Sequence, residues 1–309
     1  MVRGHVGQIT CLTAPLVRLL ESETLIGRGP QCALRLTASF ASSQHAVLRW
    51  LGDSWNVWDL DSRNGTWLNG RRLESRQAYA VARGDRLSFG RVDQAWEVTS
   101  DAAPVVMVVN AATADQIIVV GSVHGLPSDE APDLTLYQDS AGQWVVEAAD
   151  SPPRLVINGD TFEAGSQLWR FCCPDAAART VTCDAHAAVA PMALHFIVSA
   201  DEEYVELRLE SPERSLSLGN RVQNHLLLTL ARARLDDRAA NLPETSCGWL
   251  YKEDLVAGSE ISQRVDHDVF RIRQHIAASA PLVAASIIER RPRTRQLRIG
   301  LEMLKITRV

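Results

Sequence analysis

The sequence predicts a multidomain protein in which two all-β sandwiches precede a C-terminal α+β domain. Residues 5–99 consist of short apolar runs separated by turn residues, a pattern typical of a sandwich. The same pattern resumes at "PVVMVVN" and ends before an Ala-rich stretch at 174–191. From residue 192 onward, strand-like runs give way to apolar residues at helical spacing. The predicted domains span residues 1–100, 101–185 and 190–309.

Composition limits the classes of protein to consider. With 309 residues and 46% hydrophobic residues, the chain can bury more than one core. The longest apolar runs, "PVVMVV" and "PLVAASII", fall far short of the roughly 20 residues that a membrane helix needs. The N-terminus has no basic-then-apolar signal pattern. We therefore expect a cytoplasmic protein with no membrane partner.

The six cysteines predict no metal or redox chemistry. They form no CxxC pair and no Cys/His cluster at zinc-ligand spacing, so buried apolar thiols are the favoured interpretation. The sequence also has no Walker loop, no GxSxG and no HExxH motif. We expect no metal, no cofactor and no enzymatic activity.

Polar residues of the first β region fall into three blocks. Gly27-Arg28 ends one strand, "SSQH" at 42–45 opens another, and "SRNGTWLNG" at 62–70 follows "WNVWDLD". The last block holds two Asn-Gly pairs, each suited to the positive φ angles of a tight turn. Turn residues alone allow two interpretations: a tight β-meander, or a rigid polar loop that grips a ligand.

The order of these blocks resembles the forkhead-associated (FHA) domain. GR, SxxHA, W-x-V-x-D-L-x-S-x-NGT-x-x-NG and GD-x-L-x-FG follow one another within residues 5–99. The resemblance implies an antiparallel sandwich whose loops at one end recognise phosphothreonine, and an arginine fork with a hydroxyl donor suits a phosphate dianion. The peptide-binding residues that it implies are Arg28, Ser42, Ser43, Arg63, Asn64 and Asn69, and the loop-structuring residues are His45, Gly65 and Thr66.

The second β region looks like an altered repeat of the first. Trp55 precedes Asn69-Gly70 by the same spacing by which Trp144 precedes Asn158-Gly159. Coincidence between two Trp-containing strands is the alternative. The second copy has no NGT, no GR pair and no SxxH block, so as a degenerate FHA-like sandwich it is not expected to bind phosphate. The roles left open for it are those of a spacer and of a dimerisation domain.

The C-terminal part carries the chain's positive charge. Residues 264–309 hold ten Lys and Arg against four Asp and Glu, whereas the whole chain has a net charge of −5. Such asymmetry indicates a basic binding surface. A first helix is predicted over 221–237, with Val222, Leu226, Leu230 and Ala233 as its apolar positions.

A second helix is predicted over 261–278, with a single apolar stripe. Ile261, Val265, Val269, Ile272 and Ile276 form this stripe, and Phe270 lies off it. "SIIERRPRTRQLRIG" then predicts a β-hairpin with an Arg-rich tip.

These elements resemble the winged-helix effector domain of two-component response regulators. The resemblance implies a recognition helix for the major groove of double-stranded DNA and a wing for adjacent phosphates. The DNA-binding residues that it implies are Arg264, His267, Arg271, Arg273, Gln274, Arg291, Arg293 and Arg295. A solvated basic face and a winged helix used for protein contacts are the alternatives.

The leading hypothesis is a phosphothreonine-dependent transcription regulator. Its FHA domain would dock a partner phosphorylated by a Ser/Thr kinase, and its winged helix would bind double-stranded DNA. Partner binding could act through a change of orientation or by forming a homodimer. The alternative is a phosphopeptide-binding adaptor whose winged-helix domain contacts proteins.

Overall fold

A computed structural model of the chain describes residues 6–119, 121–148, 151–174, 192–256, 262–291 and 294–309. These residues belong to two compact units. The first unit holds the described residues of Met1–Ile118, Asn158–Thr161 and Trp169–Arg179. The second unit holds those of Val119–Ile157, Phe162–Leu168 and Thr180–Val309.

The first β region is a sandwich of two sheets. Its strands are β1 Gln8–Cys11, β2 Val17–Leu19, β3 Glu23–Gly27, β4 Leu34–Arg35, β5 Ala46–Leu51, β6 Ser54–Asp59, β7 Thr66–Leu68, β8 Arg71–Arg72, β9 Tyr79–Val81, β10 Arg86–Phe89 and β11 Ala95–Ser100. One sheet has the order β2-β1-β11-β10-β7-β8 and the other β4-β3-β5-β6-β9. Their core contains Ile9, Ile26, Trp55, Leu87 and Val98.

Alternating burial shows how the sequence sets the face of a strand. In β6, Trp55, Val57 and Asp59 are buried, whereas Ser54, Asn56 and Trp58 are half-buried. Successive side chains of a strand point to opposite faces, so Asp59 follows Trp55 and Val57 into the sandwich. A carboxylate therefore lies beneath the loop that follows β6.

The second β region repeats the strand order of the first. Its strands are β12 Met107–Asn110, β13 Gln116–Ile118, β14 Val123–Leu126, β15 Leu134–Gln138, β16 Trp144–Ala148, β17 Arg154–Leu155, β18 Thr161–Ala164 and β19 Gln167–Cys172. The sheet order β13-β12-β19-β18 matches the order β2-β1-β11-β10 in the first region. The order β14-β15-β16-β17 matches the β3-β5-β6 series there. Trp55 and Trp144 lie on corresponding strands, β6 and β16. This correspondence supports the predicted repeat.

The C-terminal region combines helices with two sheets. Its elements are β20 Ala193–Val198, β21 Val205–Glu210, β22 Ser215–Asn220, α1 Asn224–Ala239, β23 Leu250–Tyr251, α2 Ser262–Ala277, α3 Pro281–Ser286, β24 Ile288–Arg291, β25 Gln296–Ile299 and β26 Met303–Arg308. The sheets have the orders β22-β21-β20-β26 and β23-β25-β24. An apolar core joins the helices to both sheets.

The two long helices differ in how well periodicity predicts their buried sides. In α2, Val265, Val269, Ile272 and Ile276 are buried, as the stripe predicts. The positions expected for α1 are wrong in part, because Val222 precedes the helix and is 86% exposed. The buried residues of α1 are Asn224, Leu227, Leu228, Leu230, Ala231 and Arg234. Within the described residues, no helix is long and apolar enough to cross a bilayer.

Candidate functional site

Two of the polar blocks are joined through their backbones. The Arg28 and Gly29 N–H groups donate to the carbonyls of Ser42 and Ser43, at 2.9 and 2.8 Å. Gly27 permits this approach, since a Cβ at that position would lie 2.5 Å from the Ser43 carbonyl oxygen. Any larger residue would push the loops apart. The Gly-Arg pair therefore sets Arg28 beside Ser42.

Arg28 and Arg63 bring positive charge to this junction. Both side chains are exposed. Arg28 Nε donates to the Ala41 carbonyl at 3.2 Å, and the Arg63 backbone N–H donates to Ser42 Oγ at 3.0 Å. Among the described residues, neither guanidinium pairs with a carboxylate within 4.0 Å. The junction can therefore accept an anion without first breaking an ion pair.

His45 connects the same junction to the Asn-Gly turn. It is fully buried, its Nδ1 accepts from the Ser42 N–H at 3.1 Å, and its Nε2 lies 3.1 Å from the Gly65 carbonyl oxygen. The first bond leaves the Nε2–H to donate to Gly65. Burial lowers the pKa of His45, which keeps the ring neutral. His45 thus positions both loops and is covered from ligand.

Asp59 organises the loop that carries Asn64. Its carboxylate accepts from the Ser62 N–H at 2.9 Å and from the hydroxyls of Ser62, Thr66 and Ser75 at 2.5, 2.6 and 2.7 Å. Burial alone would raise the pKa of Asp59, but these hydrogen bonds outweigh burial and lower it. Sequence reasoning gave Asp59 no role, although it is the Asp of the W-x-V-x-D-L block.

Replacing Asp59 by asparagine is expected to loosen this loop by about 3 kcal/mol, because buried hydroxyls lose an ionic acceptor. A lowered folded-state pKa contributes stability above the unfolded pKa of about 3.9, and this is lost as pH falls through the folded value. The measurement is amide hydrogen exchange of residues 59–66 against pH. The control is Asp61→Asn, an exposed carboxylate. Equal exchange in both variants would contradict this role.

The remaining predicted peptide contacts separate into two groups. Asn64 is exposed and donates from Nδ2 to the Phe40 carbonyl at 2.8 Å, so it borders the junction. Ser43 is also exposed there. Asn69 has a φ of 51°, and its amide bonds Asp85 Oδ1 at 2.7 Å and the Arg86 N–H at 2.8 Å. We therefore assign Asn69 to the structure of the turn rather than to the peptide contacts.

Three of the predicted DNA contacts come together on α2. His267, Arg271 and Gln274 line a cleft of about 620 Å³, together with Arg221 and His275. No carboxylate belongs to this lining in the described residues. Arg264 lies in α2, and its side chain lies outside the described residues, as does Arg293.

Arg273 differs from its predicted role. Its side chain is buried and ion-paired with Glu147 of β16, which removes it from contact with a DNA phosphate. Arg291 is half-buried and stacks on the Trp249 ring at 4.5 Å, whereas Arg295 is exposed and pairs with Glu253 at 3.5 Å. Of the described wing arginines, Arg295 is therefore the one on an open surface.

Comparison with known proteins bears on the first region. Residues 24–90 match the sequence model of the FHA domain family. The N-terminal region is an FHA domain. The match holds Arg28, Ser42, His45 and Asn64, so the junction described above belongs to the FHA domain. The winged-helix assignment of the C-terminal region stays a prediction.

The alignments with curated relatives cover about a quarter of the chain, which spans about half the length of the FhaB proteins it matches. FhaB of Mycobacterium tuberculosis is 39% identical over 80 residues, which cover 26% of this chain and half of FhaB. FhaB of Mycolicibacterium smegmatis is 41% identical over the same length and coverage. The ubiquitin ligase RNF8 of Rattus norvegicus is 35% identical over 74 residues, 22% of this chain and 15% of RNF8.

Two solved structures each align with about a third of the chain. A structure described as an analysis of phosphothreonine-dependent FHA domain interactions is 27% identical, with a TM-score of 0.27, and covers 30% of this chain and 94% of that one. M. tuberculosis EmbR in complex with a low-affinity phosphopeptide is 24% identical, with a TM-score of 0.29, and covers 32% and 25%.

Proposed function

We propose that the FHA domain docks this protein onto a partner that carries phosphothreonine. The observation that carries the proposal is the exposed Arg28 side chain, without a carboxylate partner among the described residues, on a loop whose backbone is bonded to that of Ser42. A phosphate dianion needs such a cationic fork and neutral donors. The protein then acts first as a phosphopeptide-binding adaptor.

The expected strength follows from the number of contacts. Each charge-assisted hydrogen bond contributes roughly 1.5–3 kcal/mol, and ordering of the peptide offsets part of the sum. Arg28 and Ser42 with Arg63 or Asn64 then give a low-micromolar affinity, about −8 kcal/mol. Because His45 and Asp59 already hold both loops, little ordering cost falls on the protein.

The test is a phosphothreonine peptide array probed with the full chain. We expect binding to phosphorylated peptides and none to their unphosphorylated copies. Asn64→Ala is expected to weaken the signals about tenfold, because one hydrogen-bonding side chain is lost. Asn56→Ala, in β6, is the matched control. Equal binding with and without phosphate would contradict the proposal.

A second candidate function is double-stranded DNA binding by residues 190–309, which would make the protein a phosphothreonine-dependent transcription regulator in Ser/Thr kinase signalling. The cleft lined by Arg221, His267 and Arg271 favours it, because basic groups gathered in one cleft suit a phosphate backbone. The helix–hairpin order of α2, β24 and β25 fits a winged helix. The homodimer expected from the sequence remains a prediction.

Salt dependence tests this second function. Binding through several phosphates weakens a hundredfold or more between about 50 and 200 mM salt. We expect this slope from the full chain or from its variant with Asp129→Asn and Glu130→Gln. A chain that binds no duplex at about 50 mM salt in either form would leave the adaptor as the function.

A further inference from the structure

Helix α2 presents a second side to the middle β region. Besides the buried stripe, Asp266, Phe270 and Arg273 project from this side. Phe270 is buried in an apolar cluster with Val123, Tyr137 and Val145. A large apolar side chain in this position is covered by β14, β15 and β16 and not by the core of its own domain. Helix α2 is therefore held by a second interface, which the apolar stripe in its sequence did not predict.

A buried ionic network holds the same interface. Glu147 is 3% exposed and forms ion pairs with Arg273 and Arg290. It also accepts from Tyr137 Oη at 2.9 Å, and the Arg273 guanidinium lies 4.6 Å from the Tyr137 ring centre. Buried charges are tolerated only when paired in this way. The geometry of α2 and β24 thus depends on a carboxylate from β16.

The loop between β14 and β15 extends the contact to the open face of α2. Asp129 Oδ2 accepts from Gln274 Nε2 at 2.9 Å. The side chain of Glu130 is exposed, and hydrogen bonds from its own backbone N–H and from the Ser128 hydroxyl lower its pKa, with a contribution from the charge of Arg271. Two carboxylates therefore lie near the polar residues that line the basic cleft.

The β14–β15 loop corresponds in position to the β3–β5 connection of the FHA domain. In the FHA domain, the connection from β3 to β5 carries Arg28 and Ser42. In the second β region, the corresponding connection from β14 to β15 carries Asp129 and Glu130. A loop that is cationic in the first copy is acidic in the second, and its carboxylates occupy positions where a nucleic acid phosphate would be attracted.

We infer that the β14–β15 loop, residues 127–133, masks the α2 surface against nucleic acid phosphates. This inference rests on the second candidate function, DNA binding by the C-terminal region. The loop acts as an internal competitor, since Gln274 cannot bond Asp129 and a phosphate backbone at once. Glu130, which lines a neighbouring cleft with His267, adds negative charge beside this contact. Access of DNA to the basic cleft requires displacement of the loop.

The test uses the full chain with the paired change Asp129→Asn and Glu130→Gln. These substitutions keep the side-chain shapes and remove only charge. The control, Glu163→Gln with Glu203→Gln, removes two exposed carboxylates elsewhere in the same unit. Affinity for a fluorescein-labelled duplex of mixed sequence is measured by anisotropy at about 50 mM salt. Hydrogen exchange of residues 265–277 reports independently on the contact.

The loop variant is expected to bind duplex about tenfold more tightly than wild type and the control, with faster exchange at residues 271–274. Adding Arg271→Ala is expected to remove the gain. Equal affinity of wild type and loop variant would overturn the masking and leave DNA binding standing. Faster exchange without any duplex binding would overturn both. Unchanged exchange and unchanged affinity would overturn the contact itself.

Discussion

Replacing Arg28 by alanine is expected to weaken phosphothreonine peptide binding about a hundredfold, because two charge-assisted hydrogen bonds of roughly 1.5 kcal/mol each are lost. The phosphate then meets Ser42, the loop amides and Arg63 without the guanidinium fork of Arg28. Arg28→Lys is expected to fall between wild type and alanine, since lysine keeps the charge and loses the planar fork. Isothermal titration of the full chain with an array-selected peptide measures these differences.

The stability of the FHA domain should change little in these variants. Arg28 is exposed, and its guanidinium donates a hydrogen bond to the Ala41 carbonyl. Arg83→Ala, an exposed arginine on the turn before β10, is the control for loss of positive charge. An affinity that stays within about threefold of wild type in Arg28→Ala would remove Arg28 from the site.

Replacing Glu147 by alanine is expected to destabilise the second unit by about 3–5 kcal/mol. The loss leaves Arg273, 2% exposed, as a buried charge without its carboxylate, and it removes the Glu147 pairing of Arg290, whose pairing with Asp266 at 3.0 Å stays. Urea unfolding of the full chain measures the change. The control is Glu163→Ala, an exposed carboxylate on β18 in the same unit.

Acid should act on the same network. Burial alone would raise the pKa of Glu147, but Arg273 and Arg290 outweigh it and lower the pKa. Stability from the ionised Glu147 is then complete above its unfolded pKa of about 4.3 and is lost as pH falls through the lowered folded value. Glu147→Gln is expected to lose this part of the acid dependence. Parallel pH profiles for wild type and Glu147→Gln would show that the network does not stabilise the unit.

Local patterns predicted the parts of the fold that local forces decide. The FHA sandwich is confirmed, because its turn pairs and alternating strands leave few other arrangements. The buried side of α2 is also as predicted, since Val265, Val269 and Ile272 can share only one face of a helix. The buried side of α1 was harder to predict, because its consecutive leucines fit more than one apolar stripe and its buried Arg234 breaks any apolar pattern.

Long-range partners explain what the sequence could not show. Arg273 looked like a phosphate contact because it is basic, but its partner Glu147 lies 126 residues away along the chain. Asn69 looked like a peptide contact because of its motif, but Asp85 and Arg86 use its amide. Asp59 shows the reverse case, a motif residue whose role appears only when its three hydroxyl donors come together.

The most direct test of the account is a backbone amide NMR titration of the ¹⁵N-labelled full chain with a phosphothreonine peptide and its unphosphorylated copy. The central claim is that the junction of the Arg28, Ser42 and Asn64 loops binds the phosphate. It predicts phosphate-dependent shifts concentrated at residues 27–29, 42–45 and 63–65, and unchanged signals in the turn at Asn69. Shifts that are the same for both peptides, or that cluster outside these loops, would contradict it.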